Sequence, residues 1–159
     1  MRRGLPFIAC LLALAAPAGA QVCRQAPPPF LPSLFPETLQ GLNREFSSAP
    51  GQGCMGMYRP AAPGAGQMWA VVSVDPNTAL PMGETAEALQ AHYVDGGKVV
   101  VLIDGWPVAV AYVTMGDEFT TLRGSLKVTV LVKNGDHGTA SQEMATAFLQ
   151  AILPLMPCG

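Results

Sequence analysis

Cys54, Met55 and Met57 sit within four residues, and with His92 or His137 they would offer thiolate, thioether and imidazole, the soft donors that Cu(I) prefers. In an extended chain alternate side chains point to opposite faces, so Met55 and Met57 share one face and Cys54 takes the other. A single strand therefore cannot present all three to one ion. Methionine also fills irregular core space, and Met68, Met115, Met144 and Met156 read as core. Cys54, Met55, Met57 and His137 stand as soft-metal candidates with the strand geometry against them.

Other chemistry is thinner. A reactive thiol needs a histidine, a cation or a helix N-terminus beside it, and Cys54 has only Arg59 within one strand's reach. His92 falls near the end of an expected helix, where the dipole favours the protonated ring. His137 lies in the turn-rich run 134–138, and adjacent Asp136 is poorly placed to orient its ring. Asp117 and Glu118 are neighbouring acids in an expected surface loop, with no third carboxylate to complete a calcium site. GxSxG, HExxH, CxxC and phosphate-loop signatures are absent. No catalytic residue, cofactor or firm metal site is assigned on this basis.

The first 20 residues read as an export signal: Arg2 and Arg3, an apolar run from Leu5 to about Ala16, then small residues at 18–20. Cys10 lies inside that run, whereas a lipidated cysteine would end it. Removing the signal leaves seven basic against eleven acidic residues, a balance that disfavours nucleic acid and anionic membrane as partners. The expected location is the periplasm or the extracellular space. Export permits disulfides, and Cys23, Cys54 and Cys158 are the candidates, an odd number whose pairing sequence cannot assign.

Residues 21–36 are proline-rich and read as an extended arm whose Phe30, Leu31 and Phe35 need a surface. Residues 37–159 read as one α+β domain. Pro36 to Phe46 has helical spacing of Phe35, Leu39, Leu42 and Phe46, with Gly41 as its weak point. Cys54 to Arg59 and Met68 to Val74 read as strands, and Glu84 to Val94 as a helix ending at Gly96 and Gly97.

The densest signal is Lys98 to Lys133. Asp104-Gly105 predicts a type I′ hairpin pairing Ile103 with Trp106, Val101 with Val108 and Val99 with Val110. Both faces of this hairpin are apolar, so both want cover. A loop over 116–124 and a strand from Leu126 to Lys133 would complete a three-strand meander over 98–133, in an antiparallel sheet of about five strands. Such a third strand would end near Val108, so Pro107 would cost no ladder bond. A C-terminal amphipathic helix follows, with a Thr139/Gln142 capping box, a stripe of Met144, Ala147, Phe148, Ala151, Ile152 and Leu155, and Pro154 to kink or end it. One helix covers one face, which makes the arm and the 36–46 segment candidates for the second layer.

The expected function is a small exported, non-catalytic binding domain with a protein partner, its contacts drawn from the arm and the loops at the sheet's ends. The alternative is a small-molecule or copper-binding periplasmic protein with a pocket lined by Trp69, Trp106 and Phe148. A thiol- or histidine-dependent enzyme is the weakest alternative.

Overall fold

The computed structural model describes residues 35–48, 53–62, 68–77, 85–133 and 138–156. They build an α+β arrangement of one antiparallel sheet and two helices. The strands are β1 (Thr38–Leu39), β2 (Leu42–Ser48), β3 (Cys54–Pro60), β4 (Trp69–Pro76), β5 (Val99–Ile103), β6 (Trp106–Val113), β7 (Gly116–Arg123) and β8 (Leu126–Lys133). The helices are α1 (Ala86–Asp95), between β4 and β5, and α2 (Thr139–Ile152), which runs into a 3₁₀ turn at Leu153–Leu155. The sheet order is β1-β2-β3-β4-β8-β7-β6-β5, so two meanders meet where the last strand of each pairs.

The predicted hairpin forms in the expected register, with Ile103 opposite Trp106, Val101 opposite Val108 and Val99 opposite Val110. Asp104 and Gly105 supply the positive φ angles, 50° and 77°, that the turn requires. The sheet is larger than the sequence suggests, eight strands rather than about five. Two misread segments account for much of the difference. The stretch 116–124 is not a loop: β7 occupies Gly116–Arg123, so the C-terminal meander has four strands. The segment from Pro36 to Phe46 is not a helix either. Gln40 and Gly41, at φ 51° and 76°, make a tight turn between β1 and β2, with Leu39 opposite Leu42.

Burial explains the second correction. Phe35 and Leu42 belong to the main core, where Phe35 lies against Gly56 and Tyr58 of β3. A Cβ on Gly56 would stand 3.1 Å from the Phe35 ring, so the glycine makes room for it. The Tyr58 hydroxyl donates to the Pro36 carbonyl oxygen at 2.8 Å, and an Arg44 Nη1 donates to the Phe35 carbonyl oxygen. These bonds tie residues 35–36 to the sheet. Propensity for a marginal amphipathic helix cannot compete with that docking.

The two helices cover opposite faces of the β5–β7 region. Val108, Val110, Phe119 and Ile103 join the main core with Met144, Ala145, Phe148, Leu149 and Ile152 of α2. The alternate residues Val100, Ala109 and Leu122 pack instead with Leu89 and Tyr93 of α1. α1 thus supplies a second layer over the hairpin, while residues 21–34 of the arm lie outside the described residues.

Thr85 caps α1, accepting from the Ala88 amide at 3.2 Å, so the helix begins at Ala86 rather than Glu84. It ends in a Schellman motif. Gly97, at φ 69°, donates to Val94 O, and the Lys98 amide reaches back to Tyr93 O, both at 2.9 Å.

No capping box forms at α2. Gly138 is its N-cap, without a side-chain cap, and the Gly138 amide donates instead to Asp117 Oδ2 at 3.2 Å. Asp117, only 1 % exposed, is therefore a buried acid at the positive end of a helix rather than a solvated loop residue. The buried stripe of α2 uses Ala145 and Leu149 in place of Ala147 and Ala151, and Leu155 is exposed. Pro154 falls in the closing 3₁₀ turn, ending the α-helix as expected.

Candidate functional site

Among the described residues, those singled out for chemistry do not converge. On β3, Cys54 and Tyr58 are buried in the main core, and Met55 and Met57, partly exposed, alternate to the other face as strand geometry requires. Among the described residues no cluster of three His, Cys, Asp or Glu side chains is placed to hold a metal ion. His137, Cys23, Cys158 and Phe30 lie outside the described residues. His92 is exposed on α1, 5.9 Å ring to ring from Tyr93.

Cys54 is a free, buried thiol, pushed up to about 11 from 9.0 by burial and then by the charge of Asp75. That is the reverse of activation, which requires a lowered pKa. It also has a stability consequence. A thiol pKa raised above its unfolded value stabilises the fold fully below pH 9.0, and that contribution disappears as pH rises through about 11. Burial likewise pushes Tyr58 and Tyr93 up to about 12, each from 10.0. Urea midpoints should therefore fall between neutral pH and pH about 11, with Cys54 alone contributing on the order of 2–3 kcal/mol. In a Cys54→Ala variant, the part of the loss that sets in first, above pH 9.0, should be absent.

Trp69, Trp106 and Phe148 do not share a pocket. Phe148 is fully buried beneath α2, edge-on to Tyr58 with ring centroids 4.6 Å apart. Trp69 starts β4 opposite Lys133, whose Nζ is 5.8 Å from its ring centre. Trp106 packs with the α1 cluster instead. Phe35, at 1 % exposure, is core rather than a free contact residue.

The tightest concentration of polar chemistry surrounds Trp106, and Pro107 creates it. The paired register of β6 with β7 stops at Ala109 and Thr120, just short of the proline. Pro107 lacks the amide hydrogen that the next ladder bond would need. Side chains replace the missing bonds: Thr121 Oγ1 donates to the Pro107 carbonyl oxygen at 2.7 Å, and Trp106 Nε1 donates to the Leu122 carbonyl oxygen at 3.0 Å. The Arg123 guanidinium stacks 4.3 Å above the Trp106 ring centre. No family model, curated protein or solved structure matches the chain.

Two polar atoms at this corner are left over. Among the described residues, Tyr93 Oη and Arg123 Nε are buried and have no hydrogen-bond partner. Tyr93 is only 7 % exposed. The Thr121 hydroxyl, which donates to the Pro107 carbonyl oxygen, is near enough to offset part of the rise in the Tyr93 pKa. Burial lowers the pKa of Arg123, yet a guanidinium stays charged at neutral pH. The corner therefore combines an aromatic surface, a partly desolvated cation and a phenol donor. Sequence marked Trp106 alone. Arg123 belongs to β7, a stretch whose pattern reads as a loop, and Tyr93 comes from α1, so the hairpin register points to neither.

Proposed function

We propose that the chain is an exported, non-catalytic binding domain that grips an anionic group of its partner, such as a carboxylate, at the Trp106 corner. The observation that carries this reading is a pair of buried donors without partners: Arg123 Nε, whose guanidinium stacks on the Trp106 indole, and Tyr93 Oη, from the cluster that Trp106 packs against. A buried donor without a partner costs on the order of 1–3 kcal/mol, and an acceptor supplied by a ligand would relieve that cost. Charge-assisted bonds to a guanidinium are the stronger kind. The indole beside it gives an aromatic or aliphatic portion of the same partner something to lie on. Copper binding is disfavoured by the raised Cys54 pKa and by the split of Cys54 from Met55 and Met57 across β3. The acidic balance of the mature chain agrees with a specific local cation rather than a broad basic face.

Titration with benzoate and with inorganic phosphate, read by tryptophan fluorescence in the Trp69→Phe background, tests the site. A saturable change with benzoate is expected, lost in Arg123→Met and weakened in Tyr93→Phe. No saturable change with either probe, or one that survives in Arg123→Met, would rule the site out.

A further inference from the structure

The two ends of the sheet are protected unequally. At one end β1 is only two residues long, a short edge with little to offer another chain. At the other, β5 is Val-Val-Val-Leu-Ile, with no proline, no bulge and no charge within it, and no strand pairs its outer side among the described residues. Val99 is 56 % and Leu102 58 % exposed along this edge.

The hairpin turn fixes which backbone groups face outward. Ile103 and Trp106 close the turn and exchange their bonds with each other, so Ile103, Val101 and Val99 are committed to β6. The amides and carbonyls of Val100 and Leu102 therefore point to the free edge. The next candidate on one side is Lys98, whose amide is already used in the Schellman motif at the end of α1. On the other side Asp104, at φ 50°, has left the extended conformation. Only Val100 and Leu102 remain to pair.

We infer that β5 pairs antiparallel with β5 of a second copy of this chain, about a two-fold axis through Val101. In that register Val100 lies opposite Leu102 of the second copy, and every outward amide and carbonyl finds a complement. Registers centred on Val100 or Leu102 would call on the occupied Lys98 amide or the turned Asp104. Charge selects the same register. Lys98 and Asp104 flank the apolar run at equal distance from Val101, so each Lys98 falls opposite an Asp104 at both ends of the joined strands. Asp104 Oδ1 accepts from Gln150 Nε2 at 2.9 Å, which leaves Oδ2 for the lysine. Among the described residues Lys98 has no acidic partner within its own chain. An isologous contact of this kind closes as a dimer and joins the two sheets into one.

Sedimentation equilibrium on the full chain tests this. The expected result is a dimer whose dissociation constant rises about tenfold or more in Lys98→Glu, where like charges meet at both ends, and likewise in Leu102→Lys. Adding Asp104→Asn to Lys98→Glu should recover part of the loss, since asparagine keeps the turn and removes the repulsion. Val101→Cys reads the register directly. The two Val101 residues would form a non-hydrogen-bonded pair, with Cα atoms about 4.5 Å apart, and should cross-link on oxidation where Val100→Cys does not. A monomeric parent chain would overturn the inference. So would a dimer indifferent to both Lys98→Glu and Leu102→Lys, with circular dichroism confirming that both variants are folded.

Discussion

Gly116→Ala is expected to abolish the native fold or to lower its stability by about 4 kcal/mol or more, since the added Cβ would make the closest approach of any described glycine. Gly116 opens β7 opposite Val113, at φ 152°, a region of backbone space essentially reserved for glycine. A Cβ there would lie 2.2 Å from the Val132 carbonyl oxygen and 2.9 Å from its carbonyl carbon. Both atoms are backbone of β8, so no rotamer change relieves the overlap. The neighbouring strand must shift, and with it the pairing of Asp117 with Val132 that brings Asp117 to the start of α2. Thermal and urea unfolding of the variant would measure the loss. A midpoint close to that of the parent would show that β7 and β8 are not packed as described.

The second large effect belongs to Phe148. Its ring is fully buried and meets Tyr58 edge-on at 4.6 Å, at the point where α2 presses on the sheet. Phe148→Ala removes that aromatic contact and leaves a cavity that rigid strands on one side cannot collapse to fill. The expected cost is about 3–5 kcal/mol in urea unfolding, against about 1 kcal/mol for the milder Phe148→Leu. Were Phe148 lining an open pocket instead, truncation would cost far less and ligand affinity would change with it. The contrast between the two substitutions separates core from pocket.

How much of this was legible in the sequence depended on where the polar residues went. The β5–β6 hairpin was readable to the residue because Asp104-Gly105 marks the turn and its flanks are all apolar. β8 alternates cleanly between buried and exposed positions, and its strand was found at its true bounds. β7 was missed because its buried face carries Asp117 and Thr121, which look like loop residues until their partners are known. Asp117 is satisfied by the Gly138 amide at the start of α2 and Thr121 by the Pro107 carbonyl oxygen, contacts 21 and 14 residues away in sequence. Alternation of apolar with polar cannot reveal a polar residue that is buried and bonded. The β1–β2 hairpin was missed for a different reason. Its turn places Gln40, not asparagine or aspartate, at positive φ, and the leucines and phenylalanines around it also fit a helical period.

The same limitation hid the candidate site. Trp106 was visible as an aromatic beside a turn, but its importance comes from Arg123 and Tyr93, which reach it from β7 and α1. Pro107 reads in the sequence only as a residue that must avoid a ladder bond. In the fold the third strand does run past it, and the interrupted pairing is what turns the Thr121 and Trp106 donors toward the backbone.

The order in which the strands join also sets a timetable for folding. Within each meander neighbouring strands are close in sequence, so β5 to β8 can zip through three short turns on the timescale of hairpin formation. The seam between β4 and β8 is different, since Trp69 pairs with Lys133 and Pro76 with Leu126 only after the whole of α1 and three strands have been looped out. Closing that loop carries the entropy cost of a long-range contact and gains its return late. The rate of folding is then governed by one seam in the middle of the sheet, and until it closes the two half-sheets expose β4 and β8 as unpaired apolar edges.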